Sequence, residues 1–214
     1  LELTEEIRTL LVGGHDTSSN TLAWAFYHIL SAPDVAARIR QEVDALGDAP
    51  SPSALTGLPY LGAVCDEVLR LYPPVPFALR RLRKPFSLRG IELAPGDTLA
   101  VGMALLHRNP QIWERPDDFD PERFLERKYS LYEYAPYGGG VRRCIGAAFA
   151  GHALKVVLGT VLSRAHLALA RPVDVTAVSH SISIGPNQVI PVQYQGPRNR
   201  ALTQSRGTPS ALSS

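Results

Sequence analysis

Cysteine is nearly missing from this chain: Cys65 and Cys144 are the only two in 214 residues. Two thiols with no Cys-x-x-Cys spacing do not make a secreted disulfide framework, and they are too few for a zinc or iron–sulfur ligand set. The expectation is a reducing, cytoplasmic setting. A dominant charge is lacking too. The formal net charge is +2, so no strong field favours nucleic acid or a membrane surface as partner. No apolar run reaches the ~18 uninterrupted residues that suggest a membrane helix. The longest apolar stretch, Leu154 to Ala170, is broken by Lys155 and Arg164 and predicts a core helix. The pattern of a signal peptide is missing at the start, and no internal repeat is visible. Leu1 is not a methionine and the chain opens directly on a helical pattern, so the sequence reads as part of something longer.

What is present is a chain able to build one ordinary hydrophobic core. Thr4, Glu5 and Glu6 give a capping hydroxyl followed by first-turn acids, and an apolar pattern then runs to Leu30. The middle of that helix, "GGHDTSSN" from Gly13 to Asn20, is made of weak helix formers that compete for backbone hydrogen bonds. Pro33 opens a second helix that Gly47 ends. "SPSALTGLPY" reads as a loop, and a helix from Pro59 to Leu71 is stopped by Pro73 and Pro74. "FALRRLR", "FSLRGIEL" and "DTLAVGM" are short and strand-like, with turns at Arg89-Gly90 and Pro95-Gly96. A short helix near Ala104 to Arg108 follows. Asn109 to Pro136, rich in proline, aromatics and charge, predicts a long meandering loop. A helix from about Ile145 to Arg164 follows Cys144, then strands in "VTAVSHSISI" and "QVIPVQY". From Gly196 to Ser214 the polar tail predicts disorder, leaving 1–195 as the folded part.

Cys144 ends the stretch "YAPYGGGVRRC" and sits at the start of a helix, whose positive end favours a thiolate. Gly138, Gly139 and Gly140 remove side chains ahead of it, which lets the backbone approach a flat, bulky ligand and turn amides toward the sulfur. Arg142 and Arg143 add positive charge suited to carboxylates on such a ligand. These features suit a soft ligand to haem iron. They also suit a buried structural cysteine beside a glycine turn. "YGGGVRRCIG" closely resembles the haem-binding loop of cytochromes P450, aromatic-Gly-x-Gly-x-Arg-x-Cys-x-Gly, with Tyr137, Gly138, Gly140, Arg142, Cys144 and Gly146 on the matching positions. Tyr137 departs from the usual Phe. Its hydroxyl is expected to donate a hydrogen bond beside the sulfur or to point to solvent. Ala153 departs where the family often has Glu.

Two further stretches carry the resemblance. Glu67 and Arg70, at i and i+3 on one helix face, are by themselves a weak signal for more than an ion pair. Within "DEVLRLYPPVP" they resemble the Glu-x-x-Arg helix of cytochromes P450, and Arg123 of "FDPERF" falls where the family completes a buried network. In "GGHDTSS", mid-helix glycines are expected to open the hydrogen-bond ladder. The alternative is a locally weak surface helix. The stretch resembles the family's oxygen-binding groove, which implies that Asp16 and Thr17 relay protons, with Gly13 facing substrate. By the same resemblance Arg80 is expected on a haem propionate, with His107 of "HRNP" also near the cofactor. Val75, Phe77, Ala78 and Ile182 are expected to contact substrate, although strand core is an equally good reading of each. The remaining histidines, His15, His28, His152, His166 and His180, show no ligand spacing.

The resemblance covers most of residues 3–192 and implies a mainly α fold with a small β region, the C-terminal part of the cytochrome P450 fold. A whole member of that family is much longer. The implied activity is a monooxygenase that binds haem b (iron protoporphyrin IX) through Cys144, activates O2 and inserts one oxygen atom into a small organic substrate. Electrons would come from a ferredoxin or flavoprotein reductase, docked by Arg142, Arg143, Arg127 and Lys128. The alternatives are a catalytically inactive fragment that binds haem weakly or not at all, and a small scaffold using Cys144 for another metal. The last lacks further ligands at metal spacing.

Overall fold

The first helix sets the frame. Its charged and hydroxyl-rich start and its apolar second half make one continuous rod, α1 (Glu2–Ser31), in the computed structural model, which describes residues 2–180 and 183–198. Gly13 and Gly14 do not interrupt it, contrary to the expectation of an opened ladder. The hydroxyls of Thr17, Ser19 and Thr21 instead donate back to the carbonyls of Gly13, His15 and Thr17 at 2.7–2.8 Å. Residues 2–16 are exposed, and only the second half is anchored, by Thr21, Trp24, Ala25 and Ile29.

Pro33 stands at the first turn of α2 (Pro33–Asp44), where its missing N–H is no loss. Gly47 ends the following turn at φ 83°, a left-handed conformation. The stretch read as a loop contains a short helix, α3 (Pro52–Thr56), capped when the Ser51 hydroxyl accepts from Ala54 N at 3.2 Å. The helix α4 (Pro59–Leu71) lacks a cap of its own. Glu42 of α2 supplies one, its carboxylate accepting from Tyr60 N at 2.8 Å and Leu61 N at 3.0 Å.

Four antiparallel two-stranded ribbons lie around these helices. β1 (Phe77–Arg81) pairs with β4 (Thr98–Gly102) in the register Phe77 to Gly102 and Arg81 to Thr98. β2 (Phe86–Leu88) and β3 (Ile91–Leu93) close a hairpin whose turn residues Arg89 and Gly90 both have positive φ. A short α5 (Met103–Leu106) leads into the meander, which is irregular except for α6 (Arg123–Glu126). The long helix after the cysteine is α7 (Ala147–Arg164).

The apolar stretch 154–170 is not one helix. It breaks at Arg164, and Ala165–Leu169 is a strand, β5, paired with β8 (Val192–Pro197). "VTAVSHSISI" is likewise a hairpin, β6 (Ala177–His180) and β7 (Ser183–Pro186). Order reaches beyond the predicted tail boundary. β8 includes Gly196 and Pro197, and Arg198 donates to Leu162 O and to the Asp44 carboxylate, both at 2.8 Å. Ile182 and residues 199–214 lie outside the described residues.

The core is built where α1, α2, α4 and α7 meet. Trp24, Ile29, Ile39, Val43, Leu61, Val64, Val68, Leu158 and Leu162 have no exposed surface there. Burying each such side chain contributes about 1.5–3 kcal/mol. Gly159 permits the closest approach: a Cβ there would stand 2.8 Å from Leu55 Cδ2 and 3.3 Å from Leu61 Cδ2.

Candidate functional site

The site is built outward from α4. Glu67 and Arg70 are both wholly buried, so each charge must be met within the protein. Glu67 Oε2 accepts from Arg70 Nε at 2.7 Å, and its Oε1 accepts from Arg70 Nη2 at 2.8 Å, Asp120 N at 2.8 Å and Arg123 Nε at 3.2 Å. The Arg70 guanidinium also donates to the carbonyls of His107, Pro116 and Asp118. Arg123 donates on to Asp120 O and Glu114 O. The network therefore fastens the meander to α4 through backbone groups that no secondary structure satisfies. Trp113 caps it from the side, 5.1 Å from the Arg70 guanidinium and stacked on Tyr129 at 4.2 Å.

His107 carries the fastening to the cysteine loop. Its ring is fully buried, with Nδ1 3.2 Å from Arg70 O, while Nε2 accepts from Ala135 N at 2.9 Å. That pairing fixes the tautomer with the proton on Nδ1. Burial lowers its pKa to about 4, which keeps it neutral. Both ring nitrogens are thus engaged by the protein, which makes His107 a brace behind the loop. The resemblance had set it beside the cofactor.

From Ala135 the chain turns through Gly138 and Gly140, at φ 67° and 65°, conformations that favour glycine. Three of the loop amides are engaged by backbone carbonyls, not by the sulfur. Gly138 N donates to Ala135 O, Arg143 N to Gly140 O and Cys144 N to Tyr137 O at 2.9 Å. A 3-10 turn, Gly140–Arg142, then leads to Cys144, whose thiol is exposed, whereas Cys65 is buried and its pKa is pushed up to about 12 by burial. Gly146 follows directly, before the first turn of α7. The Tyr137 hydroxyl meets neither expectation. It is buried without a hydrogen-bond partner, 3.9 Å from a Cβ built on Gly151, and burial raises its pKa to about 12.

On α1, Asp16 is exposed and Thr17 half-buried, and the Thr17 hydroxyl donates to Gly13 O at 2.7 Å. Gly13 has nothing within 4 Å of a Cβ built on it. Val75 and Phe77 are exposed and Ala78 is half-buried, so strand core does not describe the first two. Arg80 is exposed and donates to Leu79 O at 2.8 Å, and Arg142 is exposed. Neither makes an ion pair among the described residues.

The exposed surface beside Cys144 includes Val141, Ile145 and Phe149, at 102%, 93% and 75% exposure. Nothing lies within 4 Å of a Cβ built on Gly138 or Gly140. Among the described residues no three His, Cys, Asp or Glu side chains converge on a metal position. One thiolate can hold iron there when a macrocycle brings the other donors, and an open apolar shelf with free cations suits a large flat cofactor bearing carboxylates. The residues fit haem. Among the described residues, no helix is long and apolar enough to cross a membrane.

Sequence reasoning reached the network, the loop and the cysteine. It missed His107 as a brace, Tyr134, whose hydroxyl donates to Asp66 O at 2.9 Å, and the tie from Asn20 Nδ2 to Ser183 Oγ at 3.1 Å. Partners 28 to 163 positions apart in sequence leave no periodic signal.

Fold and site together define a mainly helical protein that presents one thiol on an open apolar shelf. The chain belongs to the cytochrome P450 family, whose profile it matches over residues 1–189. It is 39% identical over 173 residues to cytochrome P450 4A24 of Sus scrofa, covering 78% of this chain and 34% of that protein. It is 38% identical over 173 residues to the taurochenodeoxycholic 6 alpha-hydroxylase of Sus scrofa, with the same coverage of 78% and 34%. Its fold superimposes on a crystal structure of a cytochrome P450 (CYP102L1) with a TM-score of 0.80 at 29% identity, over 90% of this chain and 44% of that one. The chain thus spans well under half the length of the relatives it matches.

Proposed function

We propose that this chain is the haem-thiolate portion of a monooxygenase that inserts one atom of O2 into a small organic substrate. The observation that carries the reading is the exposed Cys144 thiol on an apolar shelf, braced from behind by the buried Glu67–Arg70–Arg123 network. Cys144 would hold the haem iron through its thiolate, and Arg80 and Arg142 would pair with the haem carboxylates. Haem b, when bound, supplies the redox metal at which dioxygen is reduced. Gly138 and Gly140 give its face clearance. Thr17 Oγ1, now donating to Gly13 O, is assigned to turn and donate a proton toward the oxygen side, with Asp16 replenishing it from solvent. The balance is one substrate C–H, O2, two electrons and two protons giving C–OH and water. The electrons come from a ferredoxin or flavoprotein reductase, for which the exposed Arg142, Arg143 and Lys128 offer a basic landing face.

A second reading is favoured by one observation: Ile7, Leu10, Leu11 and Val12 of α1 are 50–68% exposed, an apolar stripe in addition to the shelf. On that reading the chain by itself binds haem weakly or not at all and catalyses nothing. One titration separates the two. The haem-thiolate reading expects stoichiometric haem uptake, a monomeric elution peak, and a thiolate-type spectrum of the reduced carbon monoxide complex that Cys144→Ser abolishes. An unchanged spectrum in Cys144→Ser refutes the ligand assignment. Absence of uptake by the wild-type chain supports the inactive fragment.

A further inference from the structure

The hairpin β6–β7 is tied to the rest of the chain at two successive residues. Ser183 is 1% exposed, and its hydroxyl accepts from Asn20 Nδ2 at 3.1 Å while lying 3.4 Å from His180 O. The next amide, Ile184 N, donates to Pro74 O at 2.9 Å. One short strand therefore bridges α1, one turn after Thr17, and the turn that leads into Val75, Phe77 and Ala78. Gly185 completes the joint. It is buried, and a Cβ built there would stand 2.6 Å from Asn20 Oδ1 and 2.8 Å from Asn20 Cγ. The amide group of Asn20 thus rests against the strand at Gly185, and a side chain there would press on it and on His180 Cδ2, 2.9 Å from the same Cβ.

We propose that Asn20 is a positioning residue: its amide, bonded to Ser183 and resting on Gly185, holds β7 against the helix that carries Asp16 and Thr17 and so sets how far β7 stands from Thr17, on the side where a substrate would lie. The tie itself is read directly from these contacts, while its consequence for substrate selection rests on the reading given under Proposed function. Alanine is a better helix former than asparagine, so Asn20→Ala does not weaken α1 by propensity. Any loosening of β7 then reports the lost tie.

Hydrogen exchange on the intact chain tests the tie without any ligand. Asn20→Ala and Gly185→Ala are each expected to speed exchange of the amides in 183–185 about five- to tenfold, the effect of one lost part-buried hydrogen bond, with α4 unchanged. Unchanged exchange in 183–185 overturns the proposal. A second arm uses the haem-loaded chain with 1-butylimidazole and 1-octylimidazole as probes. Asn20→Ala is expected to change the ratio of the two affinities about threefold or more, since a moved strand acts unequally on short and long ligands. A parallel loss of both affinities makes Asn20 a structural contact only and overturns the positioning role. If the wild-type chain takes up no haem, the haem-thiolate reading falls, and the exchange arm still decides the tie.

Discussion

Glu67→Gln is the most demanding perturbation of the brace, because it changes charge while keeping shape. In the wild type one carboxylate accepts four hydrogen bonds at 2.7–3.2 Å, from two guanidiniums and the Asp120 amide. Glutamine keeps one acceptor oxygen and turns an NH2 group toward the Arg70 fork, donor against donor. Among the described residues the Arg70 guanidinium, at 0% exposure, then loses its only ion pair, and Arg123, at 7% exposure, keeps only the partly exposed Asp120 carboxylate at 3.8 Å. Removing one partner of such a pair destabilises by about 3–5 kcal/mol, most of it the desolvation left uncompensated. For a domain of this size that is a fall in Tm of about 6–20 °C.

Urea unfolding followed by far-UV circular dichroism measures the loss, and Trp113 fluorescence in a Trp24→Phe background reports the meander locally, since Trp113 packs 5.1 Å from Arg70. Glu133→Gln is the control. Its partner Arg127, at 2.8 Å, and Glu133 itself are 49% and 29% exposed, so solvent screens the pair and its loss should cost far less than that of Glu67. If Glu67→Gln loses no more stability than Glu133→Gln, the brace is not what holds the meander and the reasoning fails.

Acid should loosen the fold through two buried histidines. Burial lowers His28 and His107 from 6.5 to about 4, so the unfolded chain binds more protons than the folded one between those values. Stability is therefore full above about pH 6.5 and falls as pH drops toward about 4, by up to about 3 kcal/mol for each histidine; His28→Phe, which keeps the stack on Phe119, should flatten that slope in urea melts at stepped pH, and an unchanged slope would contradict the assignment. Tyr137→Phe removes a buried hydroxyl that has no partner and should raise stability by about 1 kcal/mol; a loss would mean the hydroxyl is bonded after all. Gly159→Ala places a methyl 2.8 Å from Leu55 Cδ2 and should lower stability by about 1–3 kcal/mol despite better helix propensity, with partial recovery in Gly159→Ala/Leu55→Val. No recovery in the double variant would show that α3 is not the contact that matters.

Where local chemistry decides the outcome, the sequence was readable. Pro33, Pro59 and the pair Pro73-Pro74 bound the helices as proline must, and Arg89-Gly90 makes the hairpin turn. Where an environment decides, it was not. The apolar run 154–170 suits helix or strand equally, and only pairing with β8 turns 165–169 into β5. "GGHDTSS" looked like a break, yet the helix runs through it, with the hydroxyls of Thr17 and Ser19 bonded to carbonyls of the same helix. The cysteine loop was legible because its glycines, arginines and thiol are contiguous. His107 was legible only as a histidine near "NP", since its partners Arg70 and Ala135 come from elements far along the chain.

Cys144 and the pair Asp16 and Thr17 are held by different means, and this bears on what each can do. Cys144 is fixed through backbone: Cys144 N on Tyr137 O, Gly138 N on Ala135 O, Ala135 N on His107, and His107 on Arg70 inside the buried network. No link in that series uses the sulfur, so the thiol stays free to bind while its position is set by groups with almost no solvent contact. Asp16 and Thr17 sit where α1 emerges from its packing, and the Thr17 hydroxyl is satisfied within its own helix. Such a hydroxyl can change partner at the cost of one weak bond. On the haem-thiolate reading proposed above, a rigid ligand at Cys144 and a switchable proton donor at Thr17 are what oxygen activation would require. Affinity for the metal group should therefore follow changes in the Glu67 network, and proton delivery should follow changes near Thr17.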